Sequence, residues 1–269
     1  MDLGNLQAKS TPGRAKRVVL GVEPAHIVGM VLVRRTGMRD EMKKPLLYDV
    51  FCGAGGCTKG YQRAGFYVVG VDKDPQPRYP GDDFIQMDAL EFLAELLNGR
   101  WYPEPALIST SPPCQVYSRT KSLSNGNHPD LVGPVRASLQ AIGLPYVIEN
   151  VPGAPLVNPI TLCGTMFDLQ VIRHRLFETE PVLWWPPRQC QHIGVASSSG
   201  RGKSKNNPIG YAPGTLDNFD YITVAGNDYI MADGHIAMDI DWMIKKELSQ
   251  AIPPAYTGWL GAQILEKIR

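Results

Sequence analysis

The chain has 269 residues, of which 43% are hydrophobic and 20% charged, with a formal net charge of +1. A chain of that size and balance can bury a full core, so one globular domain plus additions is expected. Its longest apolar run, His26 to Val33, is too short to cross a bilayer, and no secretory signal opens it, so a membrane-spanning role is excluded.

The five cysteines show no paired spacing, so a reducing, cytoplasmic setting is expected and each is judged as a thiol. The small net charge hides an uneven distribution. Residues 1–44 carry nine Lys or Arg against four acids, and residues 181–216 carry Arg188, Arg201, Lys203 and Lys205 with no acid. A basic stretch is most often a solvated loop, but an acid-free one also suits a phosphate backbone.

In chain order, residues 1–44 lack a clear period and form an expected flexible extension, with Val31–Val33 as a candidate short edge strand. Regular alternation starts at Leu46. Strands are predicted at Leu46–Phe51, Tyr67–Asp72, Phe84–Asp88, Ala106–Thr110, Tyr146–Val151 and Leu176–Thr179. Helices are predicted at Thr58–Ala64, Ala89–Asn98, Asp130–Ile142 and Ala255–Ile268. This alternation predicts a mostly parallel α/β sheet, in which ligands gather at the carboxyl ends of the strands. Beyond Glu180 the rhythm stops, and Ser197–Asn207 reads as part of a loop-rich insertion. The expected organisation is therefore an extension to 44, a catalytic and cofactor-binding unit over 45–180, a small recognition region over 181–233, and a return to the first unit over 234–269.

Asp49-Val-Phe-Cys-Gly-Ala-Gly-Gly56 joins the first strand to the first helix. Its glycines permit a tight turn and close approach of a ligand to bare backbone at a helix N-terminus. Asp72 closes the second strand, where a carboxylate can hold ribose hydroxyls. Asp88 closes the third, where it can accept from an adenine amino group. Phe51 offers a flat face to the adenine, or is simply a core aromatic.

Ser111-Pro-Pro-Cys-Gln115 follows the fourth strand. Two prolines restrict the backbone and display the next residue in a fixed direction. A lone cysteine is more often an inert buried thiol. Cys114 differs from the others by this display: Cys57 and Cys163 are expected to pack, and Cys52 lies in the glycine turn. Glu149-Asn150-Val151 ends the next predicted strand and places a carboxylate within reach of the same cleft. Arg173-His-Arg175 precedes another strand, so both arginines would share one face if extended, as would two arginines of a salt-bridged surface strand. Cys190-x-His192 suggests a metal pair, but structural zinc needs four ligands, so no metal is expected.

Taken in order and spacing, Asp49–Gly56, Ser111–Gln115, Glu149–Val151, Arg173–Arg175 and Gln250–Pro254 resemble the motifs of the C5-cytosine DNA methyltransferase family. The likeness runs from about Leu46 to the C-terminus. The short form, with His128-Pro-Asp130 and Asn150-Val-Pro-Gly-Ala-Pro155, is most similar to the small methylases of actinobacterial phages. The resemblance implies a Rossmann-like S-adenosylmethionine-dependent methyltransferase fold with a small loop-rich recognition insertion. S-adenosylmethionine would be held by Phe51, Cys52, Gly53, Gly55, Gly56, Asp72, Asp88 and Pro112.

It further implies that the Cys114 thiolate adds to carbon 6 of a flipped cytosine, so that carbon 5 attacks the sulfonium methyl. Glu149 would hold the N3 and N4 edge and Arg175 the O2 oxygen, with Arg173 in support. A positive neighbourhood would lower the thiol pKa. Double-stranded DNA is the implied partner, with Gln115, Ser118, Asn150, Arg188, Arg201, Lys203 and Lys205 as candidate contacts. No obligate protein partner is evident, and a monomer is expected.

The pattern is broken at Val171, where the family has Gln, and at Ser249-Gln250, where it has Gly-Asn; the stretch around His235–Met243 is also degenerate. The short insertion predicts a target of about two to four base pairs, since each base contact contributes about 1–3 kcal/mol of discrimination. The alternatives are methylation of cytosine in RNA such as tRNA, or a DNA-binding homologue that has lost catalysis. A nicotinamide-dependent enzyme is disfavoured, because it leaves Pro-Pro-Cys-Gln and Glu-Asn-Val unexplained.

Overall fold

A computed structural model describes residues 44–99, 102–114, 116–117, 129–183, 185–197, 215–226 and 229–268. The expected extension, with its Val31–Val33 strand, lies outside them, as does most of the Ser197–Asn207 loop.

Seven strands form one sheet: β1 Leu46–Val50, β2 Tyr67–Asp72, β3 Asp83–Gln86, β4 Leu107–Thr110, β5 Tyr146–Asn150, β6 Ile160–Leu162 and β7 Arg175–Glu180. Their spatial order is β3-β2-β1-β4-β5-β7-β6. The first five are parallel, while β7 runs antiparallel to both β5 and β6. The α/β alternation expected from sequence is therefore present, and the antiparallel insertion of β7 is the feature it did not reveal.

Alternate residues along the strands build two cores, because successive side chains leave opposite faces. Leu47, Val68, Leu107, Val147 and Phe177 pack on one face with helices α1 (Gly56–Ala64) and α6 (Pro254–Ile268). Tyr48, Val50, Val69, Val71, Ile108 and Ile148 pack on the other with α2 (Ala89–Leu97) and α3 (Val132–Ile142). The α1–α6 contact is close because Gly60 has no side chain. A Cβ there would lie 2.0 Å from Thr257 Oγ1 and 2.2 Å from the Pro254 carbonyl oxygen.

A third core joins Phe219, Ile222 and Val224 to Tyr229, α4 (Met231–Met238), Ile240, Met243, Leu248 of α5 (Lys245–Leu248) and Ala251. It also takes in Ala54 of the glycine turn and Val171. The sequence read His235–Met243 as degenerate, yet it folds as a helix and turn with a buried face. Val171, which stands where the family has Gln, is 1% exposed and bridges Ile222. An apolar residue there completes this third core.

Candidate active site

The glycine turn leaves β1 through three residues with left-handed backbone, Phe51 at φ 62°, Gly53 at φ 49° and Gly55 at φ 81°. Phe51 is half-buried and packs against the core under α2, in line with its reading as a core aromatic. Asp72, ending β2, braces the turn. Its Oδ2 accepts from Gly53 N at 3.0 Å and its Oδ1 from Asp74 N at 3.0 Å. Cys52 is buried, its amide donating to Val71 O.

The three glycines differ in what they face. A Cβ on Gly53 would meet nothing within 4 Å, leaving bare backbone toward open space. On Gly55 it would sit 2.4 Å from Pro80 Cδ, and on Gly56 2.4 Å from the Ile252 carbonyl oxygen. Gly56 thus owes its missing side chain to packing and Gly55 to packing together with its left-handed backbone at φ 81°, whereas Gly53 leaves bare backbone facing open space. Asp88 departs from expectation in a similar way. It lies beyond β3 as the N-cap of α2, its Oδ1 accepting from Leu90 N and Glu91 N.

Two elements missed from sequence close around the turn. Trp242 Nε1 donates to Ala54 O at 2.8 Å. Tyr79 covers Gly70 and Gly81, its hydroxyl 3.1 Å from that of Thr58, which donates to buried Asp49 at 2.6 Å. Neither Trp242 nor Tyr79 sits in a motif, so only tertiary contact reveals them.

Cys114 follows β4, Glu149 stands in β5, and Arg175 opens β7. Because β7 is antiparallel, its first residue lies beside the carboxyl end of β5; Glu149 pairs with Phe177, two residues along from Arg175. Arg175 Nε meets Glu149 Oε1 at 3.2 Å, with both side chains largely buried. Burial pushes Glu149 up, opposed by Arg175, a hydrogen bond with Ser111 and Arg173. The carboxyl is thereby held nearer its protonated form than a surface glutamate.

Two expectations need correction. Cys114 was expected to have a lowered pKa. Burial and the Glu149 charge instead raise it, outweighing Arg175 and Arg173. Asn150 was a candidate DNA contact. It is 1% exposed, and its Nδ2 donates to Pro112 O at 3.0 Å, which pins the Cys114 loop. Arg173 was expected in a supporting role. Arg173 is a buried clamp, donating to Val224 O and Ser249 O at 2.9 Å each, with its own carbonyl accepting from Tyr256. Its Ser249 contact holds the altered Ser249-Gln250 segment by backbone, so the side-chain change there leaves the clamp intact.

Of the other DNA candidates, Gln115, Ser118, Arg201, Lys203 and Lys205 lie outside the described residues. Arg188 is paired with Asp168 and donates to Thr165 O at 3.0 Å, so its charge already has a partner. The pair Cys190 and His192, dismissed from sequence as too few ligands, is joined by Cys163 and His174. No helix among the described residues is long and apolar enough to cross a membrane.

No protein-family model matches the chain. A protein of Oceanobacillus iheyensis bearing the name "Putative type II methyltransferase M.OihORF3336P" is 26% identical over 160 residues, 49% of this chain. The matched region is 34% of that protein, so this chain spans about a third of the relative's length. Among solved structures, an E. coli protein described as a "putative DNA modification methyltransferase encoded within prophage Cp" aligns at TM-score 0.57 and 14% identity. That alignment covers 84% of this chain and 99% of the other. A Dnmt2 methyltransferase of S. pombe aligns over 84% of this chain and 100% of its own at TM-score 0.48 and 12% identity. The chain has the Rossmann-like fold of S-adenosylmethionine-dependent methyltransferases.

Proposed function

We propose that this chain is a DNA methyltransferase that uses S-adenosylmethionine to methylate carbon 5 of a flipped cytosine, with Cys114 as the covalent nucleophile. The observation that carries the reading is the meeting of Cys114, Glu149 and Arg175 at the ends of three neighbouring strands, beside a glycine turn braced by Asp72. The E. coli protein is described as a DNA modification methyltransferase and the Oceanobacillus protein is named a type II methyltransferase, which supports the reading at the level of methyl transfer.

The open face of Gly53 and the carboxylate of Asp72 fit an adenosyl group, with Phe51 and Cys52 in the same turn and Pro112 assigned to the same ligand. When bound, that cofactor supplies the methyl group on an electrophilic sulfonium. The chain's own residues prepare the base. The Cys114 thiolate forms a bond to carbon 6, moving the ring electrons toward carbon 5 and the N3 side. Glu149, raised toward its protonated form, donates to N3 and accepts from the N4 amino group, balancing the charge that develops. Arg175 fixes Glu149 and presents its remaining N–H groups to O2. After methyl transfer, the carbon 5 proton is lost to water, the double bond between carbons 5 and 6 re-forms, and Cys114 leaves carbon 6 as the thiolate that began the cycle. Residues 181–233 are assigned to reading DNA, over a target of a few base pairs.

The test is incubation with tritiated S-adenosylmethionine and duplex DNA carrying 5-fluorocytosine, where the fluorine blocks release. A covalent adduct lost in Cys114→Ser supports the mechanism. Label appearing only in tRNA moves the substrate to RNA, and no adduct with any mixed-sequence nucleic acid overturns the reading.

A further inference from the structure

Around His174, which lies between Arg173 and Arg175 in the chain, four potential metal ligands converge from separate parts of the chain. Cys163 follows β6, His174 immediately precedes β7, and Cys190 and His192 belong to the segment after β7. One ligand atom from each lies within 4.8 Å of all the others. Cys163 Sγ is 3.4 Å from His192 Nε2, and Cys190 Sγ is 3.4 Å from His174 Nε2. Zinc bonds of about 2.3 Å to sulfur and about 2.0 Å to nitrogen give a tetrahedral S···N edge of about 3.5 Å. Both distances match that edge. Cys190 and His192, at 2.7 Å, would open by about 0.8 Å to reach it, a small shift for neighbours on an exposed segment.

We propose that Cys163, His174, Cys190 and His192 bind a structural zinc ion. Two soft thiolates with two imidazoles in tetrahedral array select zinc over magnesium or calcium, and four protein ligands leave no position open for catalysis. Each thiol releases one proton on binding, so the ion's two charges are cancelled by two thiolates and the half-buried site is neutral. Thr165 completes the surroundings. Its hydroxyl lies 3.6 Å from the Cys163 sulfur and 3.5 Å from that of Cys190, placed to donate to a thiolate. The ion has a route in, because Cys163 is buried while His192 is exposed.

A reduced cluster held by weak thiol–imidazole hydrogen bonds is the competing account. It leaves unexplained why four side chains of ligand type, from three stretches of chain, aim at one point. A bond between the two cysteines would leave both histidines without a task. Zinc uses all four.

The site has a consequence for the rest of the molecule. It fastens the segment after β7 to the β6–β7 edge, at the start of the region assigned to DNA reading. It also holds His174, whose carbonyl accepts from Arg175 Nη1 at 2.9 Å. The ion therefore supports Arg175 through His174 while taking no part in the reaction.

The inference stands apart from the methyl-transfer reading and is tested without an activity assay. The full chain, purified without chelator after growth with zinc, is expected to carry about one zinc ion by mass spectrometry of metals. Cys190→Ser and His192→Ala, at half-buried and exposed positions, should reduce that content to background while circular dichroism shows a folded chain. Cobalt exchanged into the wild type should give the visible bands of a tetrahedral ion and the near-ultraviolet charge transfer of thiolate ligation. Metal content below about a tenth of an equivalent, with no charge-transfer band on adding cobalt to folded protein, overturns the proposal. A Cys163–Cys190 disulfide in the purified protein, found by peptide mapping, overturns it as well.

Discussion

The side-chain amide of Asn150 donates to the carbonyl of Pro112 across 3.0 Å, tying the last residue of β5 to the loop that displays Cys114. Its Oδ1 accepts from Val151 N at 2.8 Å, so both ends of the amide are engaged. Asn150 is thus a positioning residue for the nucleophile. Asn150→Ala leaves the Pro112 carbonyl unpaired in a buried place, at a cost of about 1–3 kcal/mol. The loosened loop should slow single-turnover methylation about tenfold or more, with cofactor affinity unchanged. Rapid-quench kinetics and a cofactor titration measure the two effects; undiminished turnover would remove the positioning role.

Cys114 should behave as a reluctant thiol until substrate arrives. Burial and then Glu149 raise its pKa, so thiolate is scarce at neutral pH in the DNA-free protein. Alkylation of Cys114 by iodoacetamide, followed against pH by peptide mapping, should inflect above the value of a free thiol. Glu149→Gln removes one of the raising charges and should shift that inflection downward. An inflection at or below the free-thiol value would contradict the electrostatic account.

Asp49 predicts a pH-dependent stability. Burial is the main cause that raises its carboxyl from 3.8 to about 7, against the hydrogen bond from Thr58. The folded protein therefore keeps a proton that the unfolded chain releases at its ordinary value. Stability from this proton is fully present below about pH 4 and is lost as pH rises through about 7, by up to about 4 kcal/mol. Asp49→Asn should flatten the profile between those limits in urea melts. A wild-type profile already flat there would rule the effect out.

Glycine substitutions separate packing from propensity. Gly60→Ala forces a methyl group against the Pro254 carbonyl and Thr257 and should cost about 2–3 kcal/mol, lowering Tm by about 5–10 °C. Gly133, in α3, has nothing within 4 Å of where an alanine methyl would sit, and Gly133→Ala should raise stability by about 0.5 kcal/mol. Calorimetry on the pair checks both signs. Equal effects would mean that the α1–α6 contact is looser than its distances imply.

Legibility in the sequence followed range. The short apolar strands, the glycine turn and the two prolines before Cys114 are local patterns, and all were readable because neighbouring residues create them. The roles of Asn150, Arg173 and Asp88 were not. Each side chain is spent on a backbone group, and a capping or clamping bond leaves no mark in residue type. Arg188 was read as free charge because nothing in the sequence shows Asp168 beside it.

By itself, the sequence determined an α/β sheet, and it pointed to Cys114 among five thiols as the expected nucleophile. Tertiary structure decided what surrounds that thiol. The antiparallel entry of β7 between β5 and β6 brings Arg175 to Glu149, and burial then sets the proton affinity of Cys114 against expectation. The same strand reversal gathers Cys163, His174, Cys190 and His192. Strand direction and desolvation arise from contacts between distant segments. They become visible only when those segments meet.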